Sequence, residues 1–273
     1  MAGLLGDIGT IEWLERTRGI LNRRERARFF AATALRTSRL TPRMVGMRLG
    51  LRGSGPDPSE LTLPDTADTR HILEACSELD PMLIEHGYRT YLFGKALGIV
   101  CDDEALFAVA FLHDYGLSMV ESLTDRDFTL AGIEVAREVL ASTSFSERER
   151  RDVADAITLH YNPSVRRRRG DLQYLMHESI HLDCFGFRAW DLDPEGIDRV
   201  VDRHPRHGFI VRTKPMMQLH ARQVRGCRAL PLILGGIGPM IPLGPWPRVE
   251  SAEDRAREKV VGAAGPSEEG MRS

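Results

Sequence analysis

The chain has no closely spaced cysteine pair. Its four cysteines, Cys76, Cys101, Cys184 and Cys227, are scattered over 273 residues. That spacing excludes a zinc ribbon and suggests no disulfide framework, so a reducing compartment and a cytoplasmic location are expected. No run approaches the roughly 18 consecutive apolar residues of a membrane span, and no charged stretch followed by an apolar one opens the chain. Neither a membrane helix nor a secretory leader is therefore expected. Charge of one sign is also missing. The 37 Lys and Arg stand against 39 Asp and Glu, which leaves no overall pull toward nucleic acid or an anionic membrane. With hydrophobic residues at 42% and charged residues at 28%, what remains has the composition of a globular protein of one or two domains.

The charge that is present is uneven. Residues 1–52 hold eleven Arg against Asp7, Glu12, Glu15 and Glu25. The apolar residues between them follow an irregular helical period, so one or two basic surface helices are expected over 9–37. Residues 50–66 are dominated by Gly, Pro, Ser and Asp and read as a linker. These features divide the chain into a basic extension and linker (1–66), a helical domain (67–227) and a Gly- and Pro-rich apolar segment with a polar tail (228–273). The apolar segment is too rich in Gly and Pro for a helix and is expected to lie irregularly over the domain or to form a subunit contact, which makes a homodimer the expected assembly. The polar residues 249–273 are expected to be disordered.

The helical domain is punctuated by start and stop signals. Asp65 or Thr66 precedes one helix and Pro81 opens the next. Ser146 and Glu149 form a capping box, and Asn162-Pro163 ends the helix that follows it. Gly116, after Tyr115, is expected to close a helix in the left-handed conformation, and Pro215 is expected to kink or divide the last one. Met82, His86, Phe93, Leu97 and Val100 share one helical face. From Ala105 to Leu112 there is no polar side chain, and the run ends at His113-Asp114. Burying an adjacent imidazole and carboxylate is costly unless something satisfies them, and a divalent cation does so. Val153, Ile157 and His160 share a face, which aims His160 inward. In the helix from Asp171, Met176, Ile180, Asp183 and Phe187 form the inward face. His177 lies roughly 120° round the axis from Asp183, and His181 lies further still. If Asp183 is a ligand, His177 stands behind the ligands and His181 faces the surface or an interface. The run Arg166 to Arg169 reads as a solvated loop, or as an anion clamp.

His86, His113-Asp114 and Asp183, in that order on successive helices, resemble the HD-domain superfamily, all-helical metal-dependent hydrolases and related enzymes. Within it the segments EHGYRTYLFGKALG, AVAFLHDYGLS, AITLHYNPS and LMHESIHLDCFGF are similar to the cyanamide-hydratase-like branch over about residues 67–227. The resemblance implies an all-α HD-domain bundle that holds one divalent ion (zinc, iron or manganese) on His86, His113, Asp114 and Asp183. Asp114 and His160 are then the catalytic pair, with His177, Arg89 and Thr129 beside the ligands or the substrate. Such an ion brings the pKa of water from about 15.7 toward 7, which suits attack on a small nitrile, cyanamide-like or other carbon–nitrogen substrate while His160 donates or shuttles a proton. Two departures stand out. Thr129 follows Phe128 where this branch often has an acidic residue, and Pro215 interrupts the last amphipathic segment. A phosphate-ester hydrolase is the alternative enzyme, but phosphate-cleaving members often carry a lysine in HDxGK where this chain has Leu117. A non-catalytic helical binding module is the remaining reading.

Overall fold

The computed structural model describes residues 4–51, 53–246 and 250. Most of its long helices begin where a short polar side chain closes the first turn. Thr10 caps α1 (Ile11–Thr17), and Asn22 with Glu25 forms a capping box on α2 (Arg23–Arg48). Thr66 rather than Asp65 caps α3 (Ala67–Ala75). Asp80 and Pro81 open α4 (Pro81–Ala96), and Asp102 opens α5 (Asp103–Leu112). After the single turn α6 (Tyr115–Ser118), Asp127 starts α7 (Phe128–Ala141). The expected Ser146–Glu149 box starts α8 (Glu147–Leu159). Gly186 ends α9 (Asp171–Phe185) at φ 78. α10 (Pro194–Arg203), α11 (Phe209–Gln223) and α12 (Ala229–Leu232) complete the series. The described residues contain no strand, so the fold is all-α.

An apolar run with no polar face has to be surrounded. Every residue of α5 from Ala105 to Leu112 is buried, and α3, α4, α7, α8 and α9 all pack against this helix. α9 lies against α4 and α8 and is buried on every side, including His177, Ser179, His181 and Asp183. His181 is therefore an interior residue and not the surface or interface residue that helical spacing suggested. From α2, Arg36 reaches Glu178 of α9 at 3.0 Å.

The N-terminal helices are also more deeply placed than a basic extension suggests. Ile8, Trp13, Leu14, Leu21 and Phe29 are buried in the same core as α5. The Trp13 indole donates to Glu25 at 3.0 Å. Val100, expected on the apolar face of α4, lies beyond the end of that helix and is 88% exposed.

Two glycine and proline expectations are corrected. Gly116 is not left-handed but sits inside α6, where a Cβ would stand 1.9 Å from the Phe128 carbonyl oxygen. Its smallness lets α6 and α7 touch. Residues 229–243 form a chain of short helical turns against α2, broken at Gly236 with φ 104. Pro215 lies within α11 without dividing it. The carbonyl it leaves without a helical donor belongs to Val211, an exposed residue. The expectation of disorder over 249–273 falls, except for Glu250, outside the described residues.

Candidate metal centre

α4, α5 and α8 bring His86, His113, Asp114 and His160 to one place, and α9 sets Asp183 against His86. His86 projects from the middle of α4. His113 caps the C-terminus of α5, with Asp114 directly after it, and His160 caps the C-terminus of α8. The Nε2 atoms of His86 and His113 are 3.1 Å apart. Asp114 Oδ2 lies 3.7 Å from the first and 3.4 Å from the second. Its other oxygen, Oδ1, lies 3.8 Å from His160 Nε2. His86, His113 and Asp114 form a set of donor atoms within 4.8 Å of one another, able to hold a metal ion. Asp114 is the member with the most side-chain exposure, 14% against 0% and 1% for the two histidines, so the group opens to solvent at its carboxylate.

The far edge of each ring fixes its tautomer. His86 Nδ1 stands 2.6 Å from Asp183 Oδ2. His113 Nδ1 faces the carbonyl oxygens of Val109 and Ala110 at 3.2 and 3.1 Å. His160 Nδ1 faces the Ile157 carbonyl at 2.6 Å. A carboxylate or carbonyl oxygen only accepts, so each Nδ1 carries a proton and Nε2 is the atom at which each ring, when neutral, presents a lone pair. Three such lone pairs and one carboxylate converge. Two Nε2 lone pairs cannot face each other across 3.1 Å unless a proton or a cation lies between them. Orienting imidazoles through the opposite nitrogen is the usual way a protein presents them to a metal.

Electrostatics match this geometry. Burial alone would raise the Asp114 carboxyl, but the surrounding His113, His86 and His160 rings outweigh it and hold it below the usual carboxylate range. Burial pulls His113 down, yet the Asp114 charge leaves it above an ordinary histidine. Burial lowers His86 despite its bond to Asp183. For His160, burial and the neighbouring His113 push the pKa down to about 3, so the ring is neutral at physiological pH.

Asp183 does not join the three-residue group. Its Oδ1 accepts from Arg89 Nε at 2.9 Å and from Arg206 Nη1 at 2.8 Å. Its Oδ2 accepts from Arg89 Nη2 at 3.0 Å as well as from His86. Four hydrogen bonds use the roughly four lone-pair directions a carboxylate has. The expected fourth ligand instead stands behind His86 and holds its ring. Arg89 thus belongs to the site through Asp183, and it is anchored in turn by the carbonyls of His204 and Pro205 at 3.0 and 2.8 Å.

The other two supporting residues lie in separate networks. His177 Nε2 bonds the Asn162 carbonyl at 2.8 Å, and its Nδ1 faces Glu178 at 3.0 Å. Thr129 donates to Asp127 at 2.8 Å and accepts from Arg228 at 2.6 Å. The acidic group at the start of α7 is therefore Asp127, just before Phe128, and it pairs with buried Arg228. Sequence reasoning missed Arg206, whose guanidinium is fully buried between Asp183 and Glu250. Its position in the loop after α10 carries no periodic signal. The run Arg166 to Arg169 is exposed and lines a cavity that contains none of the residues grouped here. Comparison with protein-family models found no match, and comparison with curated proteins found none.

Proposed function

We propose that this chain is a metal-dependent hydrolase or hydratase of the HD-domain kind, holding one divalent ion on His86, His113 and Asp114. The observation that supports the reading is the set of three imidazoles whose Nδ1–H groups are committed elsewhere, so that their Nε2 lone pairs meet at one carboxylate. Mixed nitrogen and oxygen donors suit zinc, iron(II) or manganese. Bound there, such an ion supplies Lewis acidity that makes water nucleophilic near neutral pH.

The chain's own groups divide the remaining work. Asp183, clamped by Arg89 and Arg206, keeps the His86 ring from turning. Asp114, ionised and partly exposed, orients an incoming water by accepting its hydrogen bond. His160 is neutral with Nε2 open, so that atom shuttles the proton lost by the attacking water to the substrate nitrogen, the atom that gains a proton when a carbon–nitrogen multiple bond is hydrated. The substrate is a small molecule with a polarised carbon in a carbon–nitrogen group, such as a nitrile or cyanamide. Leu117, where a phosphate-binding lysine would stand, favours this over a phosphate ester.

Elemental analysis of the purified protein and its Asp114→Ala variant tests the reading, together with nitrile and nucleotide panels assayed on metal-loaded protein. One equivalent of divalent metal, lost in the variant, and turnover of a nitrile are expected. Absence of stoichiometric metal would overturn the metal site, and turnover confined to nucleotides would overturn the substrate class.

A further inference from the structure

A cavity of about 280 Å³ lies between α2, residues 4–8 and the loop between α8 and α9. Arg36, Arg39, Arg166, Arg168 and Arg169 line it, and no acidic residue does. The rest of the wall is largely apolar, with Leu5, Ile8, Leu40, Leu159 and Val165 facing the same space. Five guanidinium groups around one small volume repel one another, and a bound anion relieves that repulsion. Arg36 bonds Glu178 at 3.0 Å and Arg169 donates to the Gly6 carbonyl at 2.7 Å. Arg166 and Arg168 make no ion pair among the described residues, while Arg167 between them turns away to Asp171. The alternation leaves the two uncommitted arginines on the cavity side of the loop.

We propose that this cavity is a second binding site, taking a small organic anion that carries a phosphate or phosphonate group on an apolar body. Guanidinium groups recognise tetrahedral oxyanions through paired N–H donors. A bare inorganic ion would leave the apolar half of the wall unused, whereas an aliphatic or aromatic body fills it. The cavity is distinct from the histidine cluster, since none of its lining residues belongs to that cluster. It is close to the cluster along the chain, since its lining residues Leu159 and Asn162 stand one and two residues from His160. The proposal does not depend on the metal reading.

Isothermal titration of the full chain in the presence of a chelator, with phenylphosphonate, inorganic phosphate and phenol as probes, tests it. Phenylphosphonate is expected to bind with one-to-one stoichiometry and at least tenfold more tightly than phosphate, with phenol weaker than both. The double variant Arg166→Gln/Arg168→Gln is expected to lose at least tenfold in phenylphosphonate affinity. Both side chains are exposed, so the fold does not depend on them. Asp114→Ala is expected to bind as the wild type does. No binding, equal binding by the double variant, or phosphate binding as tightly as phenylphosphonate would overturn the proposal. A parallel sedimentation with phosphatidylcholine vesicles containing phosphatidic acid separates a soluble ligand from a lipid headgroup. Vesicle binding that requires Arg166 and Arg168, without binding of soluble phenylphosphonate, would overturn it too.

Discussion

Replacing Asp183 by Asn tests whether this residue is a ligand or a support. Arg89, Arg206, Asp183 and Glu250 form a buried group of two cations and two carboxylates. Asp183→Asn removes one negative charge and leaves the group with a net positive one. It also turns an amide N–H₂ toward donors that previously met an acceptor. Breaking one side of a buried ion pair costs about 3–5 kcal/mol, because the remaining charge stays desolvated. For a chain of this length the urea dependence of stability is about 2–3 kcal/mol per molar, so the unfolding midpoint should fall by about 1–2.5 M. The measurement belongs in chelator, where loss of a bound ion contributes nothing. A midpoint within about 0.4 M of wild type, equivalent to about 1 kcal/mol, would refute the reasoning that Asp183 is structurally committed. A true fourth ligand would show the opposite pattern, with little cost in chelator and a large loss of metal-dependent stabilisation.

Where a proton bridges the His86 and His113 Nε2 atoms, a divalent ion must displace it. Burial opposes protonation of His113 but Asp114 raises its pKa above the ordinary value, so metal affinity should fall about tenfold per unit as pH drops below that pKa; a pH-independent affinity by calorimetry would contradict this. Burial raises Glu178, but Arg36 and His177 push it down to about 2 from 4.5. Its folded pKa is depressed, so its contribution of about 3 kcal/mol is complete above pH 4.5 and is lost as pH falls toward 2. The stability gap between wild type and Glu178→Gln should therefore narrow over that range, and a constant gap in urea titrations would count against the pairing. Gly116→Ala should destabilise by about 1–3 kcal/mol or more, since its Cβ meets the Phe128 carbonyl. Gly238→Ala, with nothing within 4 Å, should be neutral or slightly stabilising in thermal melts.

Helix positions were legible where local chemistry decides them. Ser146 with Glu149, Pro81 after Asp80 and the apolar run into His113 mark their elements by capping and burial, and the structure has them there. Features set by tertiary packing were not legible. The pattern of Ile11, Leu14, Ile20 and Leu21 among arginines suits a solvated helix equally well, and only the core decides that Trp13 and Leu14 lie inside. Gly116 after an aromatic looks like a helix stop, yet the contact that requires it comes from Phe128, twelve residues later in the chain. A helix covered on all faces defeats any argument from the wheel, which is why His181 was placed outside and lies within.

The candidate site shows the same division on a finer scale. Spacing along α9 turns Asp183 toward α4, and that much follows from helical geometry. Whether the carboxylate then meets an ion or an imidazole depends on its competitors, and those come from elsewhere: Arg89 one turn beyond His86, and Arg206 from a loop after α10. Two guanidinium groups occupy three of the four lone-pair directions, and the fourth goes to His86 Nδ1. The negative charge of Asp183 therefore reaches the cluster only through the His86 ring. By binding the Nδ1 proton it makes Nε2 more basic and fixes its aim, at an angle set by arginines that never approach the group themselves. A substitution at Arg206 should accordingly weaken metal binding while leaving every donor atom in place. Among the interactions described here, the bond from His86 to Asp183 is the one that would transmit the effect.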